Sequence, residues 1–88
     1  MAWTIEWDER AVKDAQKLGR EENTRILAYL RERIATDKDP RRFGKPLLAE
    51  KAGLWRYRIG DHRIVCRIED ERSVVLVLAV GHRSKVYR

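Results

Sequence analysis

The chain has 88 residues, 43% of them hydrophobic and 39% charged, and its 20 Lys and Arg against 14 Asp and Glu leave a net charge of +6. That length allows one small domain, a sheet covered by a pair of helices, and excludes anything larger. No apolar run approaches a membrane-spanning helix, no signal-peptide pattern opens the chain, and the single cysteine, Cys66, cannot close an internal disulfide, so a reducing cytoplasm is the expected setting.

Trp3, Ile5 and Trp7 alternate with Thr4 and Glu6, the pattern of a half-buried first strand. Asp8 stands where it can cap a helix that carries Ala11, Val12, Ala15 and Leu18 at helical spacing and stops near Gly19. A second helix runs from about Glu21 to Ile34, with Ile26, Leu27, Leu30 and Ile34 as its apolar stripe and Glu21 and Arg25 placed as a helical charge pair. Helices joined by so short a turn form an antiparallel hairpin that lies on the sheet. The stretch from Asp37 to Ala52 holds both prolines and the basic residues Arg41, Arg42 and Lys45. It reads as a surface loop, either a solvated connector or an outer ring of contacts to a nucleic-acid backbone.

Next comes Trp55-Arg56-Tyr57-Arg58-Ile59-Gly60-Asp61-His62-Arg63-Ile64-Val65-Cys66-Arg67, two alternating strands around a Gly-Asp pair of the kind a type II′ hairpin prefers. With Gly60 and Asp61 as the turn, Arg58 faces Arg63, Tyr57 faces Ile64, Arg56 faces Val65 and Leu54 faces Arg67. Side chains alternate across a strand, so Arg56, Arg58, Arg63 and Arg67 share one face, and Trp55, Tyr57, Ile59, Ile64 and Cys66 share the core face. Like charges directly opposite in a sheet are destabilising, which marks the arginine face as a place for an anion, although arginines on a solvated sheet face are also common. Cys66 reads as a small buried hydrophobe and not as a nucleophile.

Val74 to Val80 is nearly all branched aliphatic, a central strand buried on both faces. It ends in a tail that brings His82, Arg83 and Tyr87 to one end of the sheet. With two histidines and one cysteine there is no spacing of metal-ligand type, and no Gly-rich phosphate loop, paired-carboxylate site or serine triad stands out. The remaining set suits stabilising a phosphorane-like transition state and stacking bases.

The order strand, two helices, three strands, with the loop Asp39-Pro40-Arg41-Arg42-Phe43-Gly44-Lys45-Pro46-Leu47, the hairpin Leu54 to Ile68 and the ending Val80-Gly81-His82-Arg83 through Val86-Tyr87, resembles the RelE toxins of the RelE/ParE toxin-antitoxin superfamily. The resemblance spans essentially the whole chain. It implies one domain over residues 1–88 of the α+β class, β-α-α-β-β-β, with the helical hairpin packed on one antiparallel sheet. It also implies a toxin that enters the ribosomal A site and cleaves messenger RNA there, without a metal or other cofactor. In toxins of this kind, the resemblance implies, the 2′-hydroxyl attacks the adjacent phosphate, leaving a 2′,3′-cyclic phosphate and expelling the 5′-oxygen.

Carried over by position, the resemblance makes Arg56, Arg58, Arg63, Arg83 and Tyr87 catalytic, with Arg41, Arg42, Lys45, Arg67 and His82 as substrate contacts. Arg56 and Arg58 stand where such toxins usually have lysine, and a guanidinium is a poor general base, which leaves the base as Tyr87, or Tyr87 assisted by His82. The implied partners are a cognate antitoxin with acidic side chains and the ribosome, with operator DNA reached only through the antitoxin and no membrane. Two other readings stay open: a ParE-like inhibitor of DNA gyrase, and a basic nucleic-acid-binding module without chemistry.

Overall fold

In the computed structural model, which describes residues 2–47 and 53–82, the chain runs through β1 (Thr4–Trp7), α1 (Glu9–Gln16), α2 (Arg20–Tyr29), β2 (Lys45–Pro46), β3 (Leu54–Ile59), β4 (His62–Glu69) and β5 (Val74–His82). Asp8 caps α1 as expected, its carboxylate accepting from the Arg10 amide at 3.1 Å. The second expected helix is α2 followed by one π-helical stretch, Leu30–Ile34. The Asn23 side chain donates to the Ala15 carbonyl at 3.0 Å and ties the two helices together.

The fold is α+β, with the helices on a five-stranded sheet ordered β1-β5-β4-β3-β2. One correction concerns pairing: the sheet is mixed, because β1 lies parallel to β5, Thr4 opposite Val74 and Trp7 opposite Val77. An antiparallel sheet is what hairpin-linked strands produce, and β2 to β5 obey it. β1 has no hairpin partner. The two helices carry the chain away from it, and it closes the sheet against the last strand. A second correction is β2 itself, a short strand inside the expected loop, with Lys45 opposite Arg56 and Pro46 opposite Trp55.

The core lies between sheet and helices: Ala11, Ile26, Leu30 and Ile34 from the helical side against Tyr57, Ile59, Ile64, Cys66, Ile68, Val75, Val77 and Val80. Cys66 is fully buried, and that burial pushes its thiol pKa up, which keeps it an unreactive packing group. Two residues of the expected helical stripes are instead exposed. Val12 is 39% exposed and Leu27 is 47% exposed, Leu27 forming the wall of an apolar groove with Trp3, Ile5 and Trp7. The Glu21–Arg25 pair gives way to another contact: Arg25 reaches the β3–β4 turn, where a Cβ on Gly60 would meet its Nη1 at 3.1 Å.

The β3–β4 register agrees with the sequence reading at every pair, from Ile59 opposite His62 to Leu54 opposite Arg67. Gly60 has φ 61°, while Asp61 is not among the positive-φ residues, which selects the type II′ turn over type I′. Between residues 37 and 47 the chain is more ordered than a loop. Asp39 caps a single 3-10 turn, Pro40–Phe43, and Pro40 fills its first position. Tyr57, buried on β3, donates its hydroxyl to the Pro40 carbonyl at 2.8 Å.

Gly44 then passes so close to β3 that a Cβ there would lie 3.0 Å from Tyr57 Cε1 and 3.1 Å from the Arg56 carbonyl oxygen. Gly44→Ala is therefore expected to destabilise the fold by about 1–3 kcal/mol through overpacking. A lowered thermal midpoint checks this; an unchanged midpoint means that the turn can lift off β3 freely.

Candidate functional site

The open face of the sheet, away from the helices, gathers the cations. Arg58 and Arg63 sit directly opposite each other, and β2 adds Lys45 opposite Arg56, so the hairpin's arginine row continues one strand further than the sequence indicates. Lys45, Arg56, Arg58 and Arg63, with Phe43 beside them, line a cleft of about 180 Å³. β5 brings Gly81 opposite Arg63 at the same end of the sheet.

The electrostatics of this cleft differ from those of the arginines around it. Arg41 is held by Asp39 at 3.3 Å and by both carboxylate oxygens of Asp70 at 3.1 and 2.6 Å, and Arg72 is held by Glu6 and Glu69. The Arg41 guanidinium in turn keeps the Asp70 carboxyl below its ordinary pKa. Among the described residues, Lys45, Arg56, Arg58 and Arg63 have no such carboxylate. One guanidinium nitrogen, Arg63 Nη1, is buried and makes no hydrogen bond among the described residues.

A buried donor without a partner costs about 1–3 kcal/mol, and more when charged. The Arg58–Arg63 juxtaposition adds like-charge repulsion. Both penalties vanish when an anion with several acceptor oxygens lies in the cleft, since guanidinium groups bind phosphate through paired N–H donors. The arrangement can bind a phosphodiester and stabilise extra negative charge on it.

Not every residue singled out from the sequence comes to this cleft. Arg67 shares the face by register but lies four residues along β4 from Arg63, about 13 Å away at strand rise. Arg41 sits over the Trp55 ring, its charge committed to Asp39 and Asp70. Arg42 stacks on Phe43, its guanidinium carbon 4.6 Å from the ring centroid, and so flanks the cleft.

His82 stands opposite His62, their rings edge-on at 6.2 Å, and the register turns both to the helix-bearing face, where His82 lines a hollow with Arg10, Asp14, Lys17 and Leu18. His62 Nδ1 lies 3.4 Å from Glu22, an ion-pair distance without hydrogen-bond geometry. Arg83 and Tyr87 lie outside the described residues. Among the described residues no group of three or more His, Cys, Asp or Glu side chains is placed to hold a metal ion, and no helix is long and apolar enough to cross a membrane. The residue that the sequence reading passed over is Phe43, and its signal was there: a lone aromatic among Arg41, Arg42 and Lys45.

The model of the ParE toxin of type II toxin-antitoxin systems matches residues 5–87. The chain belongs to this family, and within it to the RelE toxins. Among relatives, toxin RelG of Mycobacterium tuberculosis is 39% identical over 90 residues, covering 100% of this chain and 99% of the relative. The mRNA interferase toxin RelE of Escherichia coli is 29% identical over 91 residues, covering 99% and 92%. In three dimensions the chain is similar to the toxin-antitoxin complex RelBE2 from Mycobacterium tuberculosis, with a TM-score of 0.86 at 30% identity over 97% of this chain and 95% of the other. The RelE-family fold thus comes with an arginine cleft whose cations carry no internal counter-charge among the described residues.

Proposed function

We propose that this toxin is a ribosome-dependent endoribonuclease that cuts messenger RNA in the A site by attack of a 2′-hydroxyl on the neighbouring phosphate. The observation that carries the reading is the cleft of Lys45, Arg56, Arg58 and Arg63, with Arg63 Nη1 buried and unpartnered among the described residues. A relative of nearly the same length that is named an mRNA interferase supports it.

In the reaction the O2′–P bond forms as the P–O5′ bond breaks, leaving a 2′,3′-cyclic phosphate and a 5′-hydroxyl. Negative charge accumulates on the non-bridging oxygens of the five-coordinate phosphorus, and Arg56, Arg58 and Arg63 stabilise it electrostatically in a site shielded on its helix side by the sheet. Guanidinium groups do not accept the 2′-hydroxyl proton at neutral pH. That proton goes to Tyr87, acting as the phenolate, the departing 5′-oxygen takes a proton from water, and Arg83 adds charge on the phosphate. His82, turned to the helix face, is assigned no proton transfer.

A cognate antitoxin with acidic side chains neutralises the toxin by covering the same cations, in keeping with the toxin-antitoxin complex of the mycobacterial relative. The ribosome and the toxin meet in the cytoplasm.

Inducing the chain alone in a bacterial host and mapping messenger 5′ ends tests the reading. New ends inside coding sequence are expected, and they disappear when an initiation inhibitor keeps ribosomes off the message. Growth arrest without new ends overturns the proposal in favour of gyrase inhibition or simple occupancy of the ribosome.

A further inference from the structure

The cleft has one wall that is not cationic. Phe43 lines it beside Lys45, Arg56, Arg58 and Arg63, and is 40% exposed. The ring is held from several sides. The Arg33 guanidinium lies between two aromatic rings, 5.5 Å from the Tyr29 centroid and 5.6 Å from that of Phe43, and Arg42 lies 4.6 Å from Phe43. Tyr29 in turn meets buried Tyr57 at 6.2 Å, so a chain of ring and guanidinium contacts runs from the core to the rim of the cleft.

The backbone under Phe43 is equally constrained. Asp39 caps its turn, the Pro40 carbonyl accepts from Tyr57, and Gly44 lies against β3 with no room for a Cβ. An apolar ring kept partly exposed on so rigid a support, next to a concentration of positive charge, is poorly explained as core filling. Surfaces that hold single-stranded nucleic acid combine a cationic track for the phosphates with aromatic faces for the bases, each stack contributing about 1–3 kcal/mol. Guanidinium planes serve the same purpose.

We infer that Phe43, braced by Arg33 and extended by Arg42, is the base-contacting wall of the cleft: it stacks the nucleobase adjoining the phosphate held by Arg56, Arg58 and Arg63. This rests on the proposed cleavage of RNA and adds to it a residue that fixes which nucleotide is seated. Phe43 touches a base and not the reacting atoms. Its contribution is to hold the nucleotide so that the scissile phosphate lies over Arg63. Bases differ in stacking strength, so Phe43 also biases the choice of codon, purines above pyrimidines at the contacted position.

The test uses ribosomes programmed with a message that carries 2-aminopurine at each A-site nucleotide in turn, with 2′-O-methyl groups to block attack. The unsubstituted toxin is expected to change the fluorescence at one of these positions. Phe43→Tyr keeps that change, and Phe43→Leu loses it and binds about tenfold more weakly. An equal fluorescence change in Phe43→Leu overturns the inference, as does equal loss in both variants, because a ring that acts only by packing against Arg33 would not separate Tyr from Leu in this way. Failure of the unsubstituted toxin to bind programmed ribosomes at all is a distinct result and overturns the proposed function beneath it.

Discussion

Arg63→Ala is expected to lower the rate of message cleavage on programmed ribosomes by about 10²–10³-fold, the usual loss when one preorganised donor to a developing oxyanion is removed. Arg63 is singled out over its neighbours by two features. It stands directly opposite Arg58 and lines the same cleft, and its Nη1 is buried without a hydrogen bond among the described residues. A donor already stripped of water gives its full strength to an incoming oxygen, whereas an exposed arginine must first shed solvent.

The same features make a second expectation unusual for so central a residue. Removing Arg63 relieves repulsion with Arg58 and deletes an unsatisfied buried donor, so the variant is expected to melt no lower than the unsubstituted protein. Activity and stability then move independently, as they do where a site is held in a state that folding alone would not choose. Arg63→Lys keeps the charge but not the paired donors, and should recover only part of the rate. Cleavage by Arg63→Ala within a few-fold of the parent would remove this residue from transition-state stabilisation, and a large fall in melting temperature would show that the guanidinium is structural.

Much of this architecture is legible in the sequence where contacts are local. The β3–β4 hairpin has a period of two, a turn that admits one geometry at Gly60, and a core face that slippage would expose, so its register has a single solution. Asp8 and the hydrophobic positions Ile26, Leu30 and Ile34 are legible for the same reason. What was hidden depends on partners far along the chain. Arg41 looks like a free surface cation until Asp70, 29 residues away, is folded against it. Lys45 joins the arginine row only because a two-residue strand pairs with β3.

His82 is the clearest case. Counting by twos from buried Val75 and Val77 puts residues 79 and 81 on the core face and His82 on the open face with the arginines. The structure shifts register between Val65 and Cys66, pairing them with Ala79 and Val77 and leaving Leu78 as an extra residue in β5. One inserted residue reverses the alternation, so Val80 and His82 face the helices. The Asp14 carboxylate accepts from the Val80 amide at 3.0 Å just beyond the shift and anchors α1 to the displaced strand. A bulge of this kind has no signature in a run of aliphatic residues.

Tyr57 links the hidden and the legible parts, and its removal should cost more than any surface change. An 88-residue domain of ordinary stability holds about 4–13 kcal/mol in total. Tyr57 is among the largest fully buried side chains, so Tyr57→Ala leaves a large cavity at an expected loss of about 3–5 kcal/mol and brings the chain near unfolding. Tyr57→Phe is the sharper probe because it keeps the ring and deletes only the hydroxyl that donates to the Pro40 carbonyl. The Pro40 carbonyl keeps the Phe43 amide of its 3-10 turn, so losing this one hydrogen bond is expected to cost about 0.5–1.5 kcal/mol, read as a midpoint lower by roughly 4–8 °C for each kcal/mol in a domain of this size. Burial also raises the Tyr57 pKa, so the hydroxyl remains a donor throughout the range in which the protein would be assayed. The hydroxyl points to the helix side of the sheet, yet the turn it pins carries Phe43 and Lys45 to the cleft on the other side. Tyr57→Phe should therefore weaken RNA binding as well as stability, with each effect present well below the melting midpoint. A variant that melts with the parent and binds as the parent does would mean that the Asp39 cap and the close packing of Gly44 hold this turn without help.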